Sequence, residues 1–271
     1  MQLYHIFYNE CKPVNIDLLQ EFSYSKPIEE IVKKEETVLI PISTPVTPTE
    51  KPDLLEQQCM KATGVQDGLF WSIYIAVYGY GEYLRNKYNY GKLEVNEKQR
   101  IAEYMVSIGA NKIKTNYKVT RSFCGEIVAD LTSLPRMVLS GLIGMCVYYK
   151  NDIYIVDIVK NTYLYFLYQG EDTNSKETDT IVLYKNPLHT KKFHSNEYFV
   201  DIGFTIQSLA EIHANYVGIE HYQKPLKGVS TYLKPDLEEI ARKTVFRENK
   251  SMDILSKQEL YTKIWIHLSD V

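Results

Sequence analysis

From Asp67 to Gly79 the chain reads Asp-Gly-Leu-Phe-Trp-Ser-Ile-Tyr-Ile-Ala-Val-Tyr-Gly, and this stretch leaves the fold little choice. Asp and Gly together form a turn, and an Asp side chain there can accept the free backbone N–H groups that open a helix. The apolar and aromatic run that follows is long enough for about three helical turns. It is apolar nearly all round, which predicts a central helix buried on most sides. The N-terminus of a buried helix offers oriented N–H groups and the positive end of a dipole, a setting that stabilises thiolates and oxyanions.

A chain of 271 residues can bury a full core and hold one large domain with a small one. The net charge of −3 gives no global basic field for nucleic acid. Hydrophobic residues at 45% and charged residues at 24% are ordinary for a globular protein. Tyrosine is not ordinary: 23 residues against 9 Phe and 2 Trp, alongside abundant Lys, Asn and Ile, as an AT-rich coding sequence produces. Cys11, Cys59, Cys124 and Cys146 are widely spaced, with no C-x-x-C and no His partner at metal-ligand spacing. The expectation is therefore free thiols in a reducing, intracellular setting, with no metal and no cofactor. Met1–Phe7 has neither the basic start nor the long apolar core of a signal peptide, and Leu69–Val77 is far short of a membrane span. A membrane partner is accordingly not expected.

Along the chain, short apolar runs at 3–8 and 38–42 flank a charged segment, 27–36, that reads as helix. Pro41, Pro45, Pro48 and Pro52 then exclude helix and central strand, so residues 1–53 are an arm ending in an extended linker. A short helix is predicted over 54–63. After the central run comes a polar, tyrosine-rich 80–90, then an amphipathic helix over 92–107 with Leu93, Ile101, Ala102 and Met105 on one side. Residues 111–119 are basic. Thr120 is placed to cap a helix over 122–134, ended by Pro135, and 137–145 reads as a further helix. The texture then turns β-branched and aromatic at 147–149, 153–159, 163–168, 180–184 and 197–200, with hairpin chemistry at Asn151-Asp152 and Asn161-Thr162 and an acidic loop over 170–179. Helices first and antiparallel strands second is an α+β order. Helix is predicted over 204–214, then two short helices within 231–243 and 255–268, the second opened by a Ser256/Glu259 capping box.

Asp67-Gly68-Leu69-Phe70-x-Ser72 resembles the nucleophile motif of OTU-type deubiquitinases, D-G-x-C-L-F-x-S/A. It also looks like the related papain-fold, protease-like proteins of large nucleocytoplasmic DNA viruses, in which a D-x-L-F-W core recurs. The likeness covers roughly residues 55–200. It implies a papain/OTU-like domain over 54–205, a central buried helix packed on an antiparallel sheet. In the family a cysteine heads that helix, a histidine near a late strand deprotonates it, and a polar residue orients the histidine. Here the family's two residues between Gly68 and Leu69, cysteine included, are absent, and Gly68 stands where the cysteine would. The base implied is His189 or His194, oriented by Asn196 or Asp201. Ser72 lies a full turn into the helix, and Cys59 lies eight residues before the turn. With no side-chain nucleophile at Gly68, covalent catalysis there is excluded.

The tail, about 228–268, resembles SAP-like or Rho-N-like helix–extended–helix modules. Leu237, Ile240, Ala241, Lys257, Glu259, Leu260 and Ile264 match their L-x-x-I/L-A … K-x-E-L-x-x-x-I pattern, which assigns residues 206–271 to a helical module. Such modules often bind DNA, and the phosphate contacts implied are Lys234, Lys243, Lys250, Lys257 and Lys263. Yet residues 224–271 carry nine Lys/Arg against seven Asp/Glu, a weak electrostatic footprint that suits protein docking equally well. Three functions stay open. The first is a non-catalytic protease-fold protein used for binding or virion assembly, with viral structural proteins or ubiquitin-like proteins as partners, in the virion or host cytoplasm. The second is an active cysteine peptidase or deubiquitinase, and the third is a DNA-binding protein acting through its tail.

Overall fold

In the computed structural model the first described helix, α1 (Gly68–Tyr78), begins where the Asp67-Gly68 turn places it, and seven consecutive residues, Leu69–Ile75, are buried. The structure describes residues 59–170, 179–187, 196–203, 206–245 and 255–269, so the expected arm, its linker and most of the 170–179 loop lie outside the described residues. All described residues belong to one compact unit, 51–271. Gly79 ends α1 at φ +86°, its N–H donating to the Ile75 carbonyl. This is a backbone state that L residues avoid and glycine does not.

Four further helices precede the main strands: α2 (Tyr80–Arg85), α3 (Tyr90–Ile108), α4 (Arg121–Ser133) and α5 (Gly141–Tyr149). The amphipathic spacing of α3 buries Ile101, Ala102 and Met105. Thr120 caps α4 as expected, accepting from the Phe123 N–H at 3.2 Å. The polar 80–90 stretch, to which the sequence assigns no element, contains helix α2. One expectation is corrected here: Val147–Tyr149 is the last turn of α5 rather than a strand. Its β propensity is overridden because α5 packs all along its length, Leu142 to Val147 being buried against α3, α4 and the sheet.

The sheet has the order β1-β5-β4-β2-β3-β6, with β1 (Met60–Lys61), β2 (Asp152–Asp157), β3 (Thr162–Phe166), β4 (Thr180–Pro187), β5 (Asn196–Asp201) and β6 (Val217–Ile219). The β2–β3 hairpin forms where Asn161 supplies a positive φ of 56°. The expected antiparallel sheet is corrected to a mixed one, since β4 pairs parallel with β2 and β6 parallel with β3. After the hairpin the chain crosses back to the free edge of β2 instead of continuing the meander. Alternating side chains mark a strand but say nothing about which neighbour it takes. The predicted 54–63 helix also fails in its described part, where Met60 and Lys61 pair with Val200 and Phe199.

Helix α6 (Leu209–Asn215) starts later than the predicted 204–214, because Ser208 and Glu211 form a complete capping box. The last helices, α7 (Lys234–Lys243) and α8 (Lys257–Ser269), fall where the sequence predicts them, and the Ser256/Glu259 box is formed. One sheet face lies under α1 and the helices other than α6, in a core that also takes in Leu237, Ala241, Leu260, Ile264 and Leu268 from α7 and α8. The opposite face is a smaller cluster of Tyr154, Val156, Val182, Tyr184 and Phe199 under Ile212 of α6. Thus the fold mixes α and β, helices leading and strands following. No helix among the described residues is long and apolar enough to cross a membrane.

Candidate functional site

At the head of α1, Asp67 is 2% exposed and its carboxylate is fully engaged. Oδ1 accepts from the Phe70 N–H at 3.1 Å, and Oδ2 accepts from Lys98 Nζ and from the Met137 N–H, each at 2.6 Å. Lys98, equally buried, also donates to Glu94 Oε1 at 2.8 Å, and Glu94 Oε2 accepts from Trp71 Nε1 at 2.8 Å. The ammonium lies 5.4 Å from the Phe70 ring centroid, over its face. One polar network therefore ties α1, α3 and the α4–α5 connection together. The Glu94/Lys98 part follows the i,i+4 helix spacing.

Gly68 is the first residue of α1, and a Cβ built on it meets nothing within 4 Å. Leu69 turns into a cleft of about 460 Å³ that opens beside this helix start. Sheet register builds the cleft floor. Tyr198 of β5 pairs with Lys185 of β4, Lys185 with Asp157 of β2, and Asp157 with Thr162 of β3. A transverse polar row thus crosses four strands on the face that α1 covers, beyond the apolar Ile155, Leu164 and Leu183. Lys185 Nζ lies 3.4 Å from Asp157 Oδ2, and Asp157 Oδ1 accepts from the Lys160 N–H at 2.9 Å. Lys185, Asp157 and Thr162 are at most 9% exposed. The far wall carries Glu126 and Asp130 of α4, the latter accepting from Ser140 Oγ at 2.9 Å, with Tyr222 beside them. Apolar walls with a few convergent polar groups are the usual make-up of a ligand site. None of this row is legible as a site in the sequence, since it exists only through the pairing of β2 with β4.

Asp67, Gly68 and Leu69 are consecutive at the head of α1, and of the three Leu69 lines the cleft. His189 and His194 lie outside the described residues. Asn196 opens β5 opposite Pro187 in the backbone register. Asp201, considered as an orienting group, shares the strand face of Phe199 and accepts from the Ile206 N–H at 3.1 Å, so it sits on the opposite side of the sheet from Tyr198. Ser72 is fully buried, and its hydroxyl donates to the Gly68 and Tyr198 carbonyls at 2.7 and 3.3 Å. It is structural.

No described thiol lines the cleft. Burial, reinforced by the Asp201 carboxylate, pushes the Cys59 thiol up to about 12. Burial also raises Cys124, and raises Cys146 strongly with Asp152 adding to it. These thiols stay protonated at neutral pH, the wrong state for a nucleophile.

In the tail, Lys234 and Lys243 are drawn to Glu238 and Glu239 of their own helix, at 3.7 and 3.3 Å. Lys257 and Lys263 lie on α8, and Lys250 is outside the described residues. The buried faces of both helices, Leu237, Ala241, Leu260 and Ile264, are turned into the core. Among the described residues no group of three or more His, Cys, Asp or Glu is placed to hold a metal ion. Comparison of the chain with protein-family models, with curated proteins and with solved structures found no match.

Proposed function

We propose that this chain is a non-catalytic binding protein on a papain/OTU-like scaffold, of the kind large DNA viruses use in virion assembly. Its cleft at the head of α1 holds a segment of a viral structural protein or a ubiquitin-like protein. One observation carries the reading: the position that needs a thiolate is Gly68, open above its Cα, while the described thiols lie elsewhere, Cys124 and Cys146 buried and Cys59 half-buried, with their pKa values raised. The cleft itself is intact, with apolar walls for side chains and a Lys185/Asp157 pair for backbone amides or polar groups.

Alkylation of the full chain with iodoacetamide, beside a ubiquitin vinyl probe, tests this. Slow labelling of Cys59, Cys124 and Cys146 and no vinyl adduct are expected. A Gly68→Cys variant should gain one thiol that alkylates faster than Cys59, Cys124 or Cys146, because there is open space above position 68. Rapid stoichiometric labelling of one native cysteine would instead establish the peptidase reading. A Gly68→Cys thiol as slow as the buried ones would remove the scaffold reading.

A further inference from the structure

We infer that the trough between α3 and α4 is a second binding site, for a free single-chain amphiphile with an anionic head group. It lies apart from the cleft at α1 and does not depend on the function proposed for that cleft. A cavity of about 450 Å³ lies in the groove between the end of α3 and the first two turns of α4, floored by Met105, Ile108, Cys124 and Val128. A shallower trough of about 270 Å³ continues it along the same helix pair, the two sharing Val106 and Val128. Val106 is left 66% exposed. The volume is in the range of small-molecule sites.

Gly125 is the telling residue. It sits in the interior of α4, exposed, without a positive φ, and a Cβ built on it meets nothing within 4 Å. Neither backbone conformation nor internal packing asks for glycine there, although glycine inside a helix costs about 1 kcal/mol relative to alanine. What its missing side chain does is keep the trough open.

Charge fixes the occupant's orientation. Lys112 and Arg121 stand at one end, exposed, and among the described residues their side chains make no hydrogen bond or ion pair. Arg121 opens the 13-residue α4 beside the C-terminal end of α3, so the two helix dipoles offset one another there and the charge comes from the two side chains. At the other end Glu103 accepts from Gln99 Nε2 at 3.0 Å and offers no cation. An anionic head belongs at Lys112 and Arg121, with the chain running toward Thr132. The α4 segment from Arg121 to Thr132 spans about 16 Å, the reach of a medium-length acyl chain.

Titration of the full chain with dodecanoate, dodecylammonium and dodecyl maltoside, each as dissolved monomer, tests the inference. Dodecanoate should bind one per chain, and dodecylammonium at least about tenfold more weakly, as expected for charge-assisted contacts to the head group. Lys112→Glu with Arg121→Glu should weaken dodecanoate by a similar factor. Gly125→Leu should abolish binding without lowering the melting temperature, and bound dodecanoate should slow alkylation of Cys124 but not of Cys59. Equal binding of dodecylammonium, or unchanged affinity in Gly125→Leu, would overturn the site. So would affinity for anionic vesicles without affinity for monomer, or a chain dimer that Gly125→Leu dissociates while dodecanoate has no effect.

Discussion

Replacing Asp67 by alanine should be among the most damaging single changes in this chain. The carboxylate caps α1 through the Phe70 N–H, satisfies the Met137 N–H and pairs with Lys98, all in a site only 2% exposed. Losing an N-cap costs about 1 kcal/mol. An orphaned buried N–H costs about 1–3 kcal/mol, and stripping one partner from a buried ion pair about 3–5 kcal/mol. These losses share one network and do not add, and Glu94 still holds Lys98 at 2.8 Å, so the expected total is about 3–5 kcal/mol. Urea unfolding at neutral pH measures it. Asp67→Asn keeps a cap acceptor and should lose less, while Lys98→Met in the Asp67→Ala background should cost less than in the native chain. The reasoning fails if Asp67→Ala loses under about 1 kcal/mol, the scale of an exposed cap, or if the two changes are additive.

Four further outcomes are expected. Gly68→Ala should be neutral or stabilise by up to about 1 kcal/mol, there being open space and no positive φ, whereas Gly144→Ala, whose Cβ would meet Ile101 and Leu131 at 3.2 Å, should destabilise by about 1–3 kcal/mol; thermal melts separate the two. Lys185→Ala should cost about 3 kcal/mol in urea by leaving Asp157 buried without its cation, and a Lys185→Met/Asp157→Leu pair should cost less than the single change. Burial, then Lys224, lowers the pKa of His221, which stacks on Tyr222 and accepts from the Gln223 N–H. The unfolded chain therefore binds the proton more readily, and stability should fall as pH drops below the ordinary histidine value of about 6.5 toward the folded one, a slope that His221→Phe removes in melts at stepped pH. Finally, duplex DNA binding by the full chain should show a salt slope far shallower than the roughly −3.6 of four phosphate contacts, since Lys234 and Lys243 face carboxylates on their own helix; a steep slope lost on Lys257→Ala/Lys263→Ala would reinstate the DNA module.

Local signals in the sequence were reliable wherever one element decides its own fate. Asp67, Thr120 and Ser256 cap the helices they are placed to cap, because capping is settled within four residues. The core face of α3 and the inward faces of α7 and α8 follow from helical spacing. What the sequence could not carry is pairing between distant segments. Val147–Tyr149 looks like strand in isolation and is helix because α5 is buried along its length. The parallel union of β2 with β4 joins residues about 28 apart and leaves no local mark. The cleft floor depends on that union, so in sequence Asp157 reads only as a strand residue, Thr162 as part of a hairpin turn and Lys185 as the residue after a strand.

The head of α1 also shows why a helix start of this kind need not be reactive. Its N-terminal dipole, equivalent to about half a positive charge, already faces the Asp67 carboxylate. Lys98 neutralises one carboxylate, but Glu94 beside it leaves the buried trio with one net negative charge. A thiolate at position 68 would gain from the helix N-terminus and lose to that excess charge, so the surrounding field offers no strong activation. The same groups do something else well: they pin α1 to α3 and to the chain entering α5, and so hold the cleft mouth in place around Leu69. On the proposed reading, the apolar wall and the polar row across four strands are what a bound segment would meet.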